Sequence, residues 1–186
     1  MLEWLIGRCH RMPVDAHEGP DPEEGTLMRT PTHVGLAGLL AVAAYASLGI
    51  LHLLVLNPLA AVPGTGLGQI YDSVHQAGQT MGVALAVLWA LLLTGLSGAV
   101  LRQTRRPAGF KRIQALLANL ALVSFGGPSL FMVSFWSGIS LADTFGISGG
   151  AHAPWALGLY GVSAAAILAF LGITVTHRRA VGAATH

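Results

Sequence analysis

The chain has 186 residues, 53% of them hydrophobic and only 10% charged, with a formal net charge of +2. Soluble domains carry about a quarter of charged residues, so this composition excludes an ordinary soluble fold. The arginines form no basic face with interleaved aromatics, which excludes nucleic acid as a partner. The single cysteine, Cys9, excludes an internal disulfide and any CxxC redox or zinc motif.

Charge is confined to particular places. From His33 to Leu101 the only formal charge is Asp72, and from Ile113 to Thr176 the only one is Asp143. Uncharged stretches of this length belong in lipid, where a helix needs about 20 apolar residues to cross. Backbone groups in lipid must be paired within their own segment, so each stretch is expected to be a helix. The fold class expected is all-α: a polytopic membrane protein with a four-transmembrane-helix bundle spanning residues 31–177.

Residues 1–30 read as a cytoplasmic segment. "MLEWLIG" has the length of a short interfacial helix, and the following Pro-, Gly- and acid-rich stretch reads as a mobile linker. No secretory signal is expected, because that first apolar run is too short. Met28 offers an alternative initiation point.

The first span is expected over His33–Asn57, with Pro31 at its start and Pro58 past its end. His52 falls about 7 Å of helix inside its outer end, sharing a face with Tyr45, Leu48 and Gly49. The glycines of "GTGLG" at 64–68 lack the strand that a phosphate loop requires, so they read as a turn. In "LGQIYDSVHQ", Leu67, Ile70, Tyr71 and Val74 recur at helical spacing, which predicts a short amphipathic helix on the outer membrane face.

The second span is expected over Gly78–Leu101. Gly78, Gly82, Ala86, Ala90, Thr94 and Gly98 recur at every fourth position, a spacing that lets helices approach closely. The third span, Ile113–Ser137, carries Asn119, whose amide is expected to bond Ser97 or Thr94 across the bundle. It also contains "FGGPSLF", where Pro128 removes a donor and Gly126 and Gly127 permit a bend; a packing kink is expected. The hydroxyls of Ser124 and Ser129 are expected to satisfy the freed backbone locally.

The fourth span, Pro154–Thr176, repeats the small-residue spacing at Gly161, Ala165 and Ala169, and residues 178–186 follow as a cytoplasmic tail. Arg8, Arg11, Arg29, the cluster from Arg102 to Arg112, and Arg178 and Arg179 all lie on one side, so both termini are expected in the cytoplasm. Arginine in place of lysine, with heavy Ala, Gly and Leu use, suggests a bacterial plasma-membrane protein.

His52, Asp72, His75, Asp143 and His152 would lie toward the outer side, the residue types of a Zn or Cu site, but from separate regions and without tight spacing. For haem, His33 and His177 share a cytoplasmic level without buried surroundings. No Asp, Glu, Lys or Arg lies deep in a span, which argues against a self-sufficient pump. No nucleophile motif such as GxSxG is present. The function expected is a non-enzymatic membrane subunit docking on other membrane proteins of a respiratory or transport complex through its small-residue faces. The alternatives are a haem- or metal-binding redox protein using His52 with the outer-loop histidines, and a small oligomeric transporter.

Overall fold

A computed structural model describes the backbone of residues 22–183 and the side chains of residues 31–179. "MLEWLIG" and the expected linker up to residue 21 lie outside the described residues; the rest of that stretch, read as a mobile linker, is helical and opens α1. Helix α1 runs Pro22–Leu51, passes through a wide π turn at His52–Leu56, and continues as α2, Asn57–Ala61. Helix α3 is Leu67–Gln76, α4 is Val83–Thr104, α5 is Arg112–Phe145 and α6 is Trp155–Ala183. Four helical runs are long and apolar enough to cross a membrane: Pro31–Ala61, Val83–Thr104, Arg112–Phe145 and Trp155–Arg179. The protein is an all-helical four-helix membrane bundle.

The boundaries differ from the sequence reading where proline and glycine were taken as stops. Pro31 lies inside α1. Pro58 does not end the first span either, because it stands in the first turn of α2, where a missing N–H costs little. Gly78 and Gly82 precede α4 in left-handed turns, at φ +73° and +65°, and so stand outside the small-residue row of the second span. Helix α5 continues past Ser137 to Phe145, about 51 Å in all, well beyond a hydrocarbon core of about 30 Å.

That extension has a partner. Ile70 and Val74 of α3 are fully buried in a small second core with Leu141, Ala61 and Met81. The apolar stripe of α3 thus packs on protein, not on the membrane face. Tyr71, on the same stripe, donates a 2.9 Å hydrogen bond to the carbonyl of Leu54. Burial raises the pKa of this phenol above its ordinary value, so the group keeps its proton and remains a donor.

The main core joins α1, α4 and α5 around Val42, Tyr45, Leu53, Trp89, Leu93 and Leu130. Glycines on α1 set its approach. A β-carbon on Gly38 would collide with Asn119, one on Gly49 would lie 2.6 Å from Trp89, and one on Gly35 would lie 3.1 Å from Thr104. Gly35, Val42 and Gly49 are spaced by seven, the repeat of a helix seam. Gly38 meets Asn119, Tyr45 meets Gly126 and Gly49 meets Leu130, a constant offset of 81, so α1 and α5 run parallel. Helix α6 packs along α5 and scarcely touches α1.

Candidate functional site: a groove between α1 and α6

Because α6 leans on α5, a groove opens between α6 and α1. Its volume is about 400 Å³. Ala41, Ala44, Leu48, Leu51 and Leu56 line one wall, and Trp155, Gly158, Leu159 and Val162 line the other. Leu48, Trp155 and Val162 are exposed, so the groove faces outward along its length, toward what would be lipid. Only two lining residues carry polar side-chain groups besides the Trp155 indole: Tyr45 and His52.

Both are buried, at 5% and 2% exposure. Neither the hydroxyl of Tyr45 nor Nδ1 of His52 has a hydrogen-bond partner among the described residues. A buried polar group left unpaired costs roughly 1–3 kcal/mol, so native proteins seldom keep one without a reason. Both residues belong to the groove lining, with the two unpaired atoms themselves enclosed. Seven residues apart, they lie two turns along one face of α1.

The π turn begins at His52, where the amide of Asn57 bonds the His52 carbonyl in the wider i+5 pattern. Pro58 explains the irregularity. Its ring crowds the carbonyl of Leu54, four residues earlier, and it has no N–H to offer that carbonyl. Tyr71 supplies the missing donor from α3. Single π turns recur at functional sites because they reorient a side chain without ending the helix. Asn57 fixes the far end of the groove by accepting the amides of His152 (2.7 Å) and Ala153 (3.4 Å), which ties the segment leading into α6 to the start of α2.

Pro128 follows the same rule on α5. The carbonyl it orphans, Ser124, accepts a 2.7 Å bond from the Ser163 hydroxyl of α6. That oxygen also accepts the amide of Gly127 at 3.0 Å. The repair comes from a neighbouring helix, not from Ser124 and Ser129 as expected. Ser124 bonds Leu120 on its own helix. Ser129 bonds Phe125 and accepts the Trp89 indole at 2.8 Å, joining α5 to α4. Gly126 sits under the Tyr45 ring and Gly127 against Ser163, so both glycines serve close approach. Given the register of α1 and α5, the breaks at Pro58 and Pro128 lie about 16 Å apart in depth. Both freed carbonyls are taken by protein hydroxyls.

The remaining candidate residues fall in separate places. Asn119 is buried; its Oδ1 accepts the Ser97 hydroxyl at 2.6 Å and its amide donates to Ala115 at 2.9 Å. Thr94 instead bonds Ala90 on its own helix. Ala86 and Ala90 face the core, whereas Gly161 and Ala165 face outward on α6, and a β-carbon at Gly161 would meet nothing within 4 Å. Asp72, His75 and Asp143 are exposed, while His152 is half-buried with its ring against the Ser148 carbonyl at 2.8 Å. Among the described residues no three His, Cys, Asp or Glu side chains come together as metal ligands, so the grouping of His52, Asp72, His75, Asp143 and His152 is not formed. The reason is geometric: His52 faces the groove, and the others belong to α3 and the α5–α6 end. His33 and His177 are both exposed at the arginine-rich end.

Sequence reasoning placed Tyr45 on the face of His52 and Asn57 at the span's end without giving either a role, and missed Ser163. For Ser163 and Tyr71 a signal existed, since each proline orphans the carbonyl four residues before it and calls for a donor nearby. Comparison of the chain with protein-family models, with curated proteins and with solved structures finds no match. The fold and the groove define the chain as a polytopic integral membrane protein with a cleft open toward the bilayer.

Proposed function

We propose that the protein is a non-enzymatic membrane component that holds a long-chain, lipid-soluble molecule in the α1–α6 groove. The observation that carries this reading is the groove itself, lined almost wholly by apolar side chains of α1, the π turn and α6 and open along its length. The groove runs from Ala41 to Leu56, about 22 Å of helix, a length suited to an extended hydrocarbon tail. Gly158 gives a clean way to fill it, because a β-carbon there meets no other atom within 4 Å. A ligand present at 100 times its Kd stabilises the folded state by about 2.7 kcal/mol. Adding a membrane lipid extract to delipidated protein should therefore raise the melting temperature of the wild type and leave Gly158→Phe little changed. Equal gains in both proteins would refute the reading.

A second role is favoured by one feature of α6. Gly158, Gly161, Ala165 and Gly172 leave that helix smooth on its exposed side, where none of the described residues covers it. This is the surface through which the protein would dock as a subunit on another membrane helix. Replacing Ala165 by Phe should then release the protein from a larger assembly in mild detergent while the single chain stays folded. Wild-type protein that migrates alone under the same conditions would remove this role.

The one-sided arginines support a topology with the α3 end outside the cell and both termini in the cytoplasm. A cysteine introduced at Thr65 should react with an impermeant thiol reagent on intact cells, and one at Ala108 should not. The reverse labelling pattern would invert the orientation.

A further inference from the structure

The arginine-rich end of the bundle has a site of a different kind. Five of the eleven residues 102–112 are basic: Arg102, Arg105, Arg106, Lys111 and Arg112. All five are exposed, and like charges gathered this closely raise the local potential and favour an anion. Among the described side chains the only acids are Asp72 and Asp143, on α3 and at the far end of α5. Neither can neutralise this cluster.

The loop that carries these cations is tightly folded. Arg106 donates its amide to the Gln103 carbonyl (3.2 Å), and Gly109 donates its own to the Arg106 carbonyl (2.9 Å). Gly109 lies so close to the Gln103 carbonyl that no β-carbon would fit there. The chain is thereby turned back over the end of α4. Lys111 then caps α5 through its backbone amide, which donates to the Gln114 side chain at 2.9 Å. Its ammonium has no lone pair to offer the helix.

Beneath this loop a second groove, of about 430 Å³, lies between α4 and α5. Leu96, Ala99, Ala118 and Leu122 belong to its apolar walls, and Gln103 and Phe110 stand at its loop end. From Leu96 to Gln103 it follows about 10 Å of helix, and Leu96 and Ala99 are exposed along it. The charges continue the same faces. Arg106 follows Gln103 by three residues, while Lys111 adjoins Phe110 and precedes Ala118 by seven, two turns of α5.

A groove that is apolar along its length and basic at one end complements an amphiphile with an anionic head. Basic pockets between membrane helices take lipid phosphates on this principle. Phosphate suits the rim, because its oxygens match the planar donor fork of arginine. Long Lys and Arg stems also lie along apolar surface and hold their charge at the membrane boundary, the depth of a lipid phosphate. We infer that an anionic phospholipid binds in the α4–α5 groove, its acyl chain against Leu96 and Leu122 and its phosphate between Arg106 and Lys111. This site is separate from the α1–α6 groove and does not depend on it.

The test is native mass spectrometry of the full chain in non-ionic detergent with about 0.15 M ammonium acetate, which screens long-range attraction. Dioleoylphosphatidylglycerol is titrated beside dioleoylphosphatidylcholine, which has the same tails and no net charge. Wild-type protein should bind one phosphatidylglycerol saturably and in preference to phosphatidylcholine. Arg106→Gln/Lys111→Gln should weaken that binding about thirtyfold, since each cation near the headgroup contributes about fivefold. Arg178→Gln/Arg179→Gln removes the same charge from the exposed end of α6 and should leave the affinity within about twofold. Ala99→Phe fills the groove from an exposed position and should weaken binding about tenfold, the value of roughly two methylenes of chain contact. All three variants replace exposed side chains, so each should melt with the lipid-free wild type. Equal losses in the two charge variants would reduce the binding to diffuse attraction and overturn the site, as would equal affinity of wild type for both lipids. Displacement of the lipid by an equal concentration of glycerol 3-phosphate would leave only an anion site and overturn the part played by the groove. A dimer lost in Ala99→Phe, with no lipid preference, would give the groove to a second copy of the chain and overturn the assignment.

Discussion

Removing the Ser163 hydroxyl should cost about 3 kcal/mol in the native chain, and far less once Pro128 has been replaced by alanine. In the native protein this one oxygen donates to the Ser124 carbonyl that the proline leaves without a partner, lies 3.0 Å from the Val123 carbonyl, and accepts from the Gly127 amide at the kink. Ser163→Ala orphans the Ser124 carbonyl and the Gly127 amide in a buried position, and each unpaired group costs roughly 1–3 kcal/mol. Pro128→Ala returns an N–H to the Ser124 carbonyl and removes the ring that crowds it, so the helix can close its own ladder. The hydroxyl is then redundant. A double-mutant cycle on unfolding in mixed micelles should give a coupling of at least about 1 kcal/mol, as for groups sharing one network. Additive costs would show that the serine does not repair the break.

The second large effect is expected at Gly126. A β-carbon there would lie 2.5 Å from Cε1 of Tyr45 and 3.0 Å from Cζ. The ring cannot easily yield, since it packs beside Trp89 in the centre of the core. Overpacking of a close-packed core costs about 1–3 kcal/mol, and a branched side chain at this point belongs at the upper end. Gly126→Ile should therefore destabilise the bundle by about 3 kcal/mol and drive Tyr45 out of its place beside the groove. Gly161→Ile is the matched control, because its β-carbon would meet open space. That variant should unfold like the wild type. Comparable losses at the two glycines would mean that Gly126 does not seat Tyr45.

These two sites also show what one dimension of information carries. The four membrane helices were legible because lipid demands long uncharged runs, and the charges Asp72 and Asp143 fall outside the bundle interior where exposure costs nothing. The helical period of Leu67–Gln76 was legible for a similar reason, although the stripe proved to face Leu141 and not the membrane. The Ser97–Asn119 bond could be anticipated because a lone amide among apolar residues needs a partner at its own depth. Helix ends were harder to read. Pro58 and Gly138 look like stops in isolation, yet packing of α3 against the extended α5, and the Tyr71 bond to Leu54, keep both segments helical.

The groove was not legible at all. It is a space between α1 and α6, and it exists because α6 chooses α5 as its neighbour. Nothing in the spacing of His52 and Tyr45 reveals that their polar atoms are left unpaired. That depends on which helices stand opposite them, and here an apolar wall of α6 does. The small-residue rows divide between the two faces for the same reason: Ala86 and Ala90 face inward and Gly161 and Ala165 outward, while Gly38, Gly49 and Gly126 set the approach of α1 to α4 and α5.

The most direct test of the central claim is native mass spectrometry of the protein extracted in mild detergent, wild type beside Gly158→Phe. The groove account predicts a wild-type population carrying one long-chain, uncharged molecule that survives gentle activation, and a variant that is folded but lacks it. Wild-type protein free of any such adduct, or the same adduct retained by both proteins, would contradict it.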